Sequence, residues 1–421
     1  MVRKTKVWTI SSIWILIVVF FAQSLDAQYH LKGFSIPNKK NSIEVPFTYQ
    51  NGFILVEVIL QDAFPLKFLF DTGAEYTILA EKSISDLLRL KYERTFKILG
   101  SDLNKELLAF LTRNVKMSMG RMTARNEDIL VLAENIFEFK TFAGIEVHGI
   151  LGASSFRHMI VEIDYQEEKI VFHKKSSFPG IKKSYTSVPI SMERNKPILT
   201  ANFSANMGIG GDENVKLLLD TGANVPFLLR KDSTELASQM VDLLPGNIAS
   251  GIGGDLIGYV GRSHSLEFED FEFSGVVTNY QQVTIKDDYP DFLTSRNGII
   301  GNPILSRFDL ILDYVSGKLY LRPNKSYRNK FKYDRSGLQL IAGGQQLSAF
   351  TIYNILPNSP AARAGFKQGD EVLSINGVGS KFLTLEGITS RLQGKVGKKV
   401  TLKINRNGSV IKKRFRLEEL I

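Results

Sequence analysis

Two stretches of the chain alternate briefly between apolar and polar and then run solidly apolar into an aspartate. Leu66-Lys67-Phe68-Leu69-Phe70 leads into Asp71-Thr72-Gly73-Ala74, and Val215-Lys216-Leu217-Leu218-Leu219 leads into Asp220-Thr221-Gly222-Ala223, 149 residues later. A short apolar run closed by a glycine-containing turn predicts a strand buried on both faces. The same offset of 149 carries Gly149-Ile150-Leu151-Gly152 onto Gly298-Ile299-Ile300-Gly301, Asp164-Tyr165 onto Asp313-Tyr314, and Lys169 onto Lys318. Ungapped correspondence at both ends of a unit this long is a duplication. It makes the two aspartates a pair.

The pattern between these landmarks is mostly that of strands. Ile43 to Gln61, with Phe47, Phe53, Leu55, Val56, Val58 and Leu60 interrupted by Asn51-Gly52, predicts a β-hairpin feeding the Asp71 strand. Ser83 to Leu90 reads as a short helix, and Phe96 to Val131 as short strand-like runs. Met159 to Phe172 and its copy Phe308 to Leu321 read as hairpins turning at Asp164 to Lys169 and around Gly317. Polar Lys174 to Ser187, with Pro179-Gly180 and four lysines, predicts a linker between two lobes, and basic Arg322 to Lys332 a second one before the C-terminal segment. In that segment Ser359 to Gly365 has a Ser cap, Pro at the first helical position and Gly at the end, which predicts a short helix.

Composition adds ample apolar material for cores, at 43% hydrophobic and 10% aromatic over 421 residues. The net charge of +10 is unevenly placed. Residues 28–332 carry 36 Lys and Arg against 36 Asp and Glu, whereas residues 333–421 carry 14 against 6. No reader motif interleaves aromatics with these basic residues, so no nucleic-acid partner is expected. Arg3, Lys4 and Lys6 before the apolar run Val7 to Ala22, with Leu25-Asp26-Ala27 before a cut, predict a signal peptide at 1–27. Its alternative is an uncleaved anchor, the only membrane contact expected, although the run is shorter than the roughly 20 residues that span a bilayer. The expected location is outside the cytoplasm: periplasm, cell envelope or medium. There is no cysteine, which removes disulfides, thiol catalysis and cysteine metal sites. No phosphate loop, metal constellation or Ser-His-Asp motif is recognised, so no cofactor is expected.

A carboxylate at a strand tip, followed by Thr and Gly, sits in a tight turn that projects it into a cleft. Two such tips facing each other put two carboxyls in contact, where both cannot ionise; one keeps its proton while the other stays charged. The charged member can deprotonate a water as its partner polarises a carbonyl, which gives hydrolysis without a covalent intermediate. A lone Asp-Thr-Gly is more often only a turn, and it is the registered copy that makes Asp71 and Asp220 catalytic candidates. Thr72 and Thr221 have the positions to hydrogen-bond across the repeat axis and hold the turns in register.

The two Asp-Thr-Gly-Ala turns, each followed 81 residues later by the second Gly of a Gly-Ile-Leu/Ile-Gly turn, resemble the aspartic proteases over roughly residues 43–322. Ala74 and Ala223 are more similar to the retropepsin type than to the pepsin type. The resemblance implies two β lobes related by a pseudo-twofold, each giving one aspartate, with flaps over an extended polypeptide substrate. Ser250 and Gly251-Ile252-Gly253-Gly254 resemble a retropepsin flap tip, and Gly100-Ser101 is the other candidate. The candidate at Gly100-Ser101 lacks the Gly-Ile-Gly-Gly of the other, and neither has the flap tyrosine of pepsins. His148 becomes Asn297 in the copy and reads as structural; Asp164 and Asp313 read as turn formers; Glu75 against Asn224 is an asymmetry that could bias the proton. At the C-terminus, Ser359 to Gly365 followed by Phe366 to Gly377 resembles a PDZ domain. That likeness implies a groove near Gly337, Leu338 and Leu340, flanked by a strand at Ala349 to Ile355 and a helix at Leu385 to Leu392, that takes protein C-termini by strand addition.

The expected organisation is a signal peptide at 1–27, an N-lobe at 28–173, a linker at 174–187, a C-lobe at 188–322, a linker at 323–332 and a small α+β PDZ domain at 333–421. The expected activity is that of an exported aspartic endopeptidase. A silent peptide-binding protein that kept the fold is the alternative, and a chain active only as a dimer a third possibility.

Overall fold

The two aspartate strands are buried because each lies inside a sheet with a neighbour on either side. Pro65–Phe70 pairs antiparallel with Phe53–Leu60 and parallel with Gly149–Leu151, Phe70 lying opposite Leu151. Glu213–Asp220 pairs antiparallel with Lys196–Ser204 and parallel with Gly298–Gly301, Asp220 lying opposite Gly301. The computed structural model describes residues 33–99, 106–135, 139–205, 213–231, 243–251, 254–282 and 296–421. The expected signal peptide lies outside them.

The protein is mostly β, with two barrel-like lobes and a C-terminal domain. Both lobes close in the same way. Phe53–Leu60 meets the long strand Glu106–Met119 at Ile59↔Ser118 and Leu60↔Met117, and in the copy Lys196–Ser204 meets Gly254–Phe268 at Asn202↔Glu267 through Ser204↔Ser265. Between the lobes runs a shared layer of six strands, in the order Ser42–Pro46, Lys169–Lys174, Met159–Asp164, Phe308–Asp313, Lys318–Pro323 and Thr186–Glu193. Its central pair is antiparallel and brings Glu162 opposite Ile311, the two being 149 positions apart. The repeat axis therefore passes through this layer. Both hairpin turns expected here are present, at Asp164↔Lys169 and Asp313↔Lys318.

The C-terminal domain has its own core. The strands Leu338–Gly343, Ala349–Ile355, Glu371–Ile375, Lys399–Arg406 and Ser409–Arg416 follow one another across the sheet, and the helix Leu385–Leu392 packs Ile388 and Leu392 onto Phe350, Ile352, Val400 and Ile404. Ser359 caps the helix Pro360–Arg363 by accepting the Ala362 N–H at 3.2 Å, and Gly365 beyond it takes φ +74°.

Three stretches differ from the pattern reading. Phe96 to Val131 belongs to three longer strands, Tyr92–Leu99, Glu106–Met119 and Met122–Leu132; irregularities between Thr112 and Met117, with Asn114 at φ +57°, reset the alternation and make long strands read as short ones. The helix expected at Ser83 to Leu90 spans Lys82–Leu87. The basic stretch after Arg322 is not an open tether: Phe331 is buried, and the Arg307 guanidinium stacks 3.8 Å from its ring centre.

Candidate active site

The two turns are built alike and locked to each other. Thr72 N–H donates to Thr221 Oγ1 at 3.0 Å, and Thr221 N–H donates to Thr72 Oγ1 at 3.1 Å. Each hydroxyl then donates to the main chain behind the opposite aspartate, Thr72 to Leu219 O at 2.6 Å and Thr221 to Phe70 O at 2.8 Å. Four buried hydrogen bonds thus close a symmetric ring between lobes. Asp71 Oδ1 accepts the N–H groups of Gly73 at 2.6 Å and Ala74 at 2.9 Å, and Asp220 Oδ1 accepts that of Gly222 at 2.8 Å. A methyl group on Gly73 would lie 2.5 Å from Asp220 Cγ, and one on Gly222 2.4 Å from Asp71 Cγ. Only glycine lets each carboxyl rest over the other's turn, where the two hydrogen-bond to one another.

Asp71 is buried and Asp220 half-buried, and loss of solvent raises both pKa values. Asp71 is held well above the usual carboxylate range by burial, then by the charge of Asp220 and the hydrogen bond to it, against the opposing Gly73 and Ala74 amides. Asp220 is also raised by burial, but the Asp71 hydrogen bond, the Gly222 amide and the cations Arg296 and Lys196 pull it back. Backbone amides favour charge on Asp71 and the cations favour it on Asp220. On Asp220 the cations add to the larger lowering effects of the Asp71 hydrogen bond and the Gly222 amide. Asp71 is held the higher of the two, by burial and by the charge of Asp220, which favours the shared proton on Asp71.

The apolar strands behind the turns fix their positions. A Cβ on Gly152 would lie 2.4 Å from Tyr76 O, and one on Gly301 2.2 Å from Val225 O, so the second glycine of each Gly-Ile-Leu/Ile-Gly turn is required where main chain crosses main chain. His148 Nδ1 accepts the Lys67 N–H at 3.1 Å, and its counterpart Asn297 Oδ1 accepts the Lys216 N–H at 2.8 Å. A histidine and an asparagine do the same structural task in the two copies. Asp164 Oδ1 accepts the Gln166 and Glu167 N–H groups, and Asp313 accepts Ser316 N–H and pairs with Lys175. Glu75 is held in an ion pair with Arg194 at 2.8 Å.

Pattern reading missed two residues at this site, Asn302 and Lys196. Asn302 Nδ2 donates to Thr221 O at 2.5 Å and Gly52 O at 2.8 Å, while its Oδ1 accepts the Tyr165 hydroxyl at 2.7 Å. Its counterpart in the first copy is Ala153, so the repeat hides it. Lys196 is buried, and burial with Arg296 lowers its pKa to about 8. Nothing in the sequence separates it from a surface lysine.

Of the flap candidates, Gly251 and Gly254 pair as the last residues of the hairpin formed by Leu244–Gly251 and Gly254–Phe268. Ile252 and Gly253 lie outside the described residues, as do Gly100 and Ser101, beyond the Leu99↔Glu106 end of the equivalent hairpin. In the C-terminal domain Leu338–Gly343 is the sheet's outermost strand, with Leu338 and Leu340 turned into the core and the helix Leu385–Leu392 beside it. Gly337 has φ +79°, and its N–H and the Ser336 N–H donate to Asp334, a half-buried carboxyl whose pKa is pushed up to about 6 by loss of solvent.

Residues 56–155 match the family model described as aspartyl protease, and residues 351–406 match that of the PDZ domain. Among solved structures, the crystal structure of aspartic proteinase from Irpex lacteus aligns with 68% of this chain and 99% of its own, at 14% identity and a TM-score of 0.44. The two family matches, on separate parts of the chain, support an aspartic protease, a hydrolase of peptide bonds, that carries a C-terminal PDZ domain.

Proposed function

We propose that the chain is an exported aspartic endopeptidase in which Asp71 and Asp220 share one proton and activate a water between them, and whose PDZ domain recruits or positions polypeptide. The observation that carries this reading is the carboxyl pair itself: a buried and a half-buried aspartate in contact, pinned by the reciprocal threonine ring, with cations favouring charge on one of them. Asp220 takes a proton from the water as its oxygen adds to the peptide carbonyl, and Asp71 gives its proton to the carbonyl oxygen. The tetrahedral diol collapses as Asp220 gives its proton to the leaving nitrogen and Asp71 takes one from a diol hydroxyl, which breaks the C–N bond and restores the starting protonation of the pair. The substrate lies extended between the lobes, pairing its main chain with the hairpin ends near Gly251 and Gly254. Export rests on the basic and apolar pattern of residues 1–27.

Purified protein is to be incubated with a proteome-derived peptide mixture across pH, with and without a statine-type inhibitor. The expected result is inhibitor-sensitive cleavage that Asp71→Asn and Asp220→Asn each reduce by about 10³-fold or more. Absence of cleavage by the wild type at every pH would leave a peptide-binding protein with the same fold. N-terminal sequencing of the mature protein tests the cut after Ala27.

A further inference from the structure

The outermost strand of the C-terminal sheet, Leu338–Gly343, has one hydrogen-bonded neighbour, Ala349–Ile355. Its other edge is where a peptide would add as a further strand. That edge is not open along its whole length. A turn of the N-lobe, Phe139–Ala143, packs against this strand, and Gly144 follows it. Burial alternates along Leu338–Gly343, so Leu338, Leu340 and Ala342 face the core and the helix, while Tyr353, the extra residue at a bulge in the next strand, stands outside that core. The Phe142 ring meets the Tyr353 ring edge-on, with centres 5.1 Å apart. A methyl group on Gly144 would lie 3.0 Å from Leu385 Cβ and 3.5 Å from Ala342 Cβ. The turn therefore straddles the edge, with Phe142 on the outer face and Gly144 wedged between strand and helix on the inner one.

The same turn is tied to the aspartate loops. Ala143 O accepts from Asn51 Nδ2 at 2.7 Å, and the Asn51 N–H donates to Glu386 Oε2, in the first turn of the groove helix, at 3.1 Å. On its other side the Asn51-Gly52 turn accepts from Asn224 Nδ2 at 3.4 Å and from Asn302 Nδ2 at 2.8 Å, and Asn302 also donates to Thr221 O. Asn51 thus links Glu386 of the PDZ helix to Asn224, in the loop that carries Asp220.

We propose that the N-lobe turn Phe139–Gly144 is a built-in stop on the PDZ groove: a polypeptide C-terminus can enter from the Gly337 end for about three or four residues, at roughly 3.3 Å each, and a longer ligand must push the turn off. Displacing it withdraws the Asn51-Gly52 turn from Asn224 and Asn302, so that occupancy of the groove is felt at the carboxyl pair. The ligand is the free carboxyl end of a polypeptide longer than about four extended residues, and its carboxylate competes with Asp334 for the Ser336 and Gly337 N–H groups. This inference rests on reading the C-terminal domain as a peptide binder.

The test uses the full-length protein and an octapeptide with a free or an amidated C-terminus, with binding followed by fluorescence anisotropy and hydrolysis by a separate quenched peptide. Mass spectrometry checks that the octapeptide itself stays intact. The free-acid octapeptide is expected to bind Phe142→Ala about fivefold more tightly than wild type, the effect of losing one aromatic contact that holds the stop. Saturating octapeptide is expected to lower kcat/KM of the wild type severalfold and to speed amide exchange in residues 139–145 and 51–53. Equal affinity for the two proteins, with hydrolysis and exchange unchanged on binding, overturns the stop and leaves the peptide-binding reading in place. Binding that is absent from both proteins, or indifferent to amidation, overturns the reading and the stop with it.

Discussion

At the scale of single residues, acidity is set by what stands beside each aspartate. The Ala74 and Ala223 side chains offer no hydroxyl to the carboxylates, in positions where serine could donate one and favour the charged form. Together with burial, this places the pH optimum above that of aspartic proteases with a hydroxyl there. Ala74→Ser combined with Ala223→Ser should move the acid limb of the kcat/KM profile to lower pH, and an unmoved limb counts against the account. Lys196 acts in the same direction as such a hydroxyl. As a cation near Asp220 it lowers that carboxyl's pKa, and its own pKa, depressed to about 8 by burial, keeps it charged through the acidic range. Lys196→Met removes the charge, so Asp220 must ionise at higher pH and the acid limb should shift upward, opposite to the serine pair. A shift in the same direction as the serine variant would show that Lys196 does not act on Asp220.

At the scale of elements, the ring of four hydrogen bonds between the Thr72 and Thr221 turns holds two strands from different lobes in one geometry. Thr221→Val keeps the shape but leaves Thr72 N–H and Phe70 O, both buried, without their partner hydroxyl. At about 1–3 kcal/mol for each orphaned group, the variant should lose roughly 3 kcal/mol of stability in denaturant unfolding. Its kcat should fall by about 10²-fold because the carboxyls lose their register. A variant as active as wild type would mean that the strands alone set the pair. These elements were legible in the sequence because they occur twice in register: Asp71, Asp220, the two threonines and the Gly-Ile-Leu/Ile-Gly turns announce themselves by the offset of 149. What the duplication does not repeat was not legible. Asn302 has an alanine as its counterpart, Lys196 looks like any surface lysine, and the irregularities between Thr112 and Met117 disguised long strands as short ones. The packing of Phe139–Gly144 on the C-terminal domain leaves no periodic trace, since a turn that covers a distant edge obeys neither the period of a strand nor that of a helix.

At the scale of the whole molecule, the sequence pattern divides the protease into lobes joined by a polar stretch, but the structure joins them by a sheet. Met159–Asp164 of the first copy pairs with Phe308–Asp313 of the second, and Ile160, Val161 and Ile163 are buried there. Lys175, from the polar stretch, adds an ion pair to Asp313 across the same boundary. An isolated N-lobe spanning residues 28–173 would expose an unpaired apolar edge strand and the N–H and hydroxyl groups of Thr72, a combination that favours association over a stable monomer. The repeat axis offers one way to satisfy it: in a homodimer, Met159–Asp164 would pair with its own copy, as it now pairs with Phe308–Asp313. The fragment is therefore expected to run as a dimer or to aggregate in size-exclusion chromatography with light scattering, while the full-length protease lobes unfold in one calorimetric transition. A monodisperse N-lobe monomer with a cooperative thermal transition would show that the shared layer is not what makes the two lobes a single folding unit.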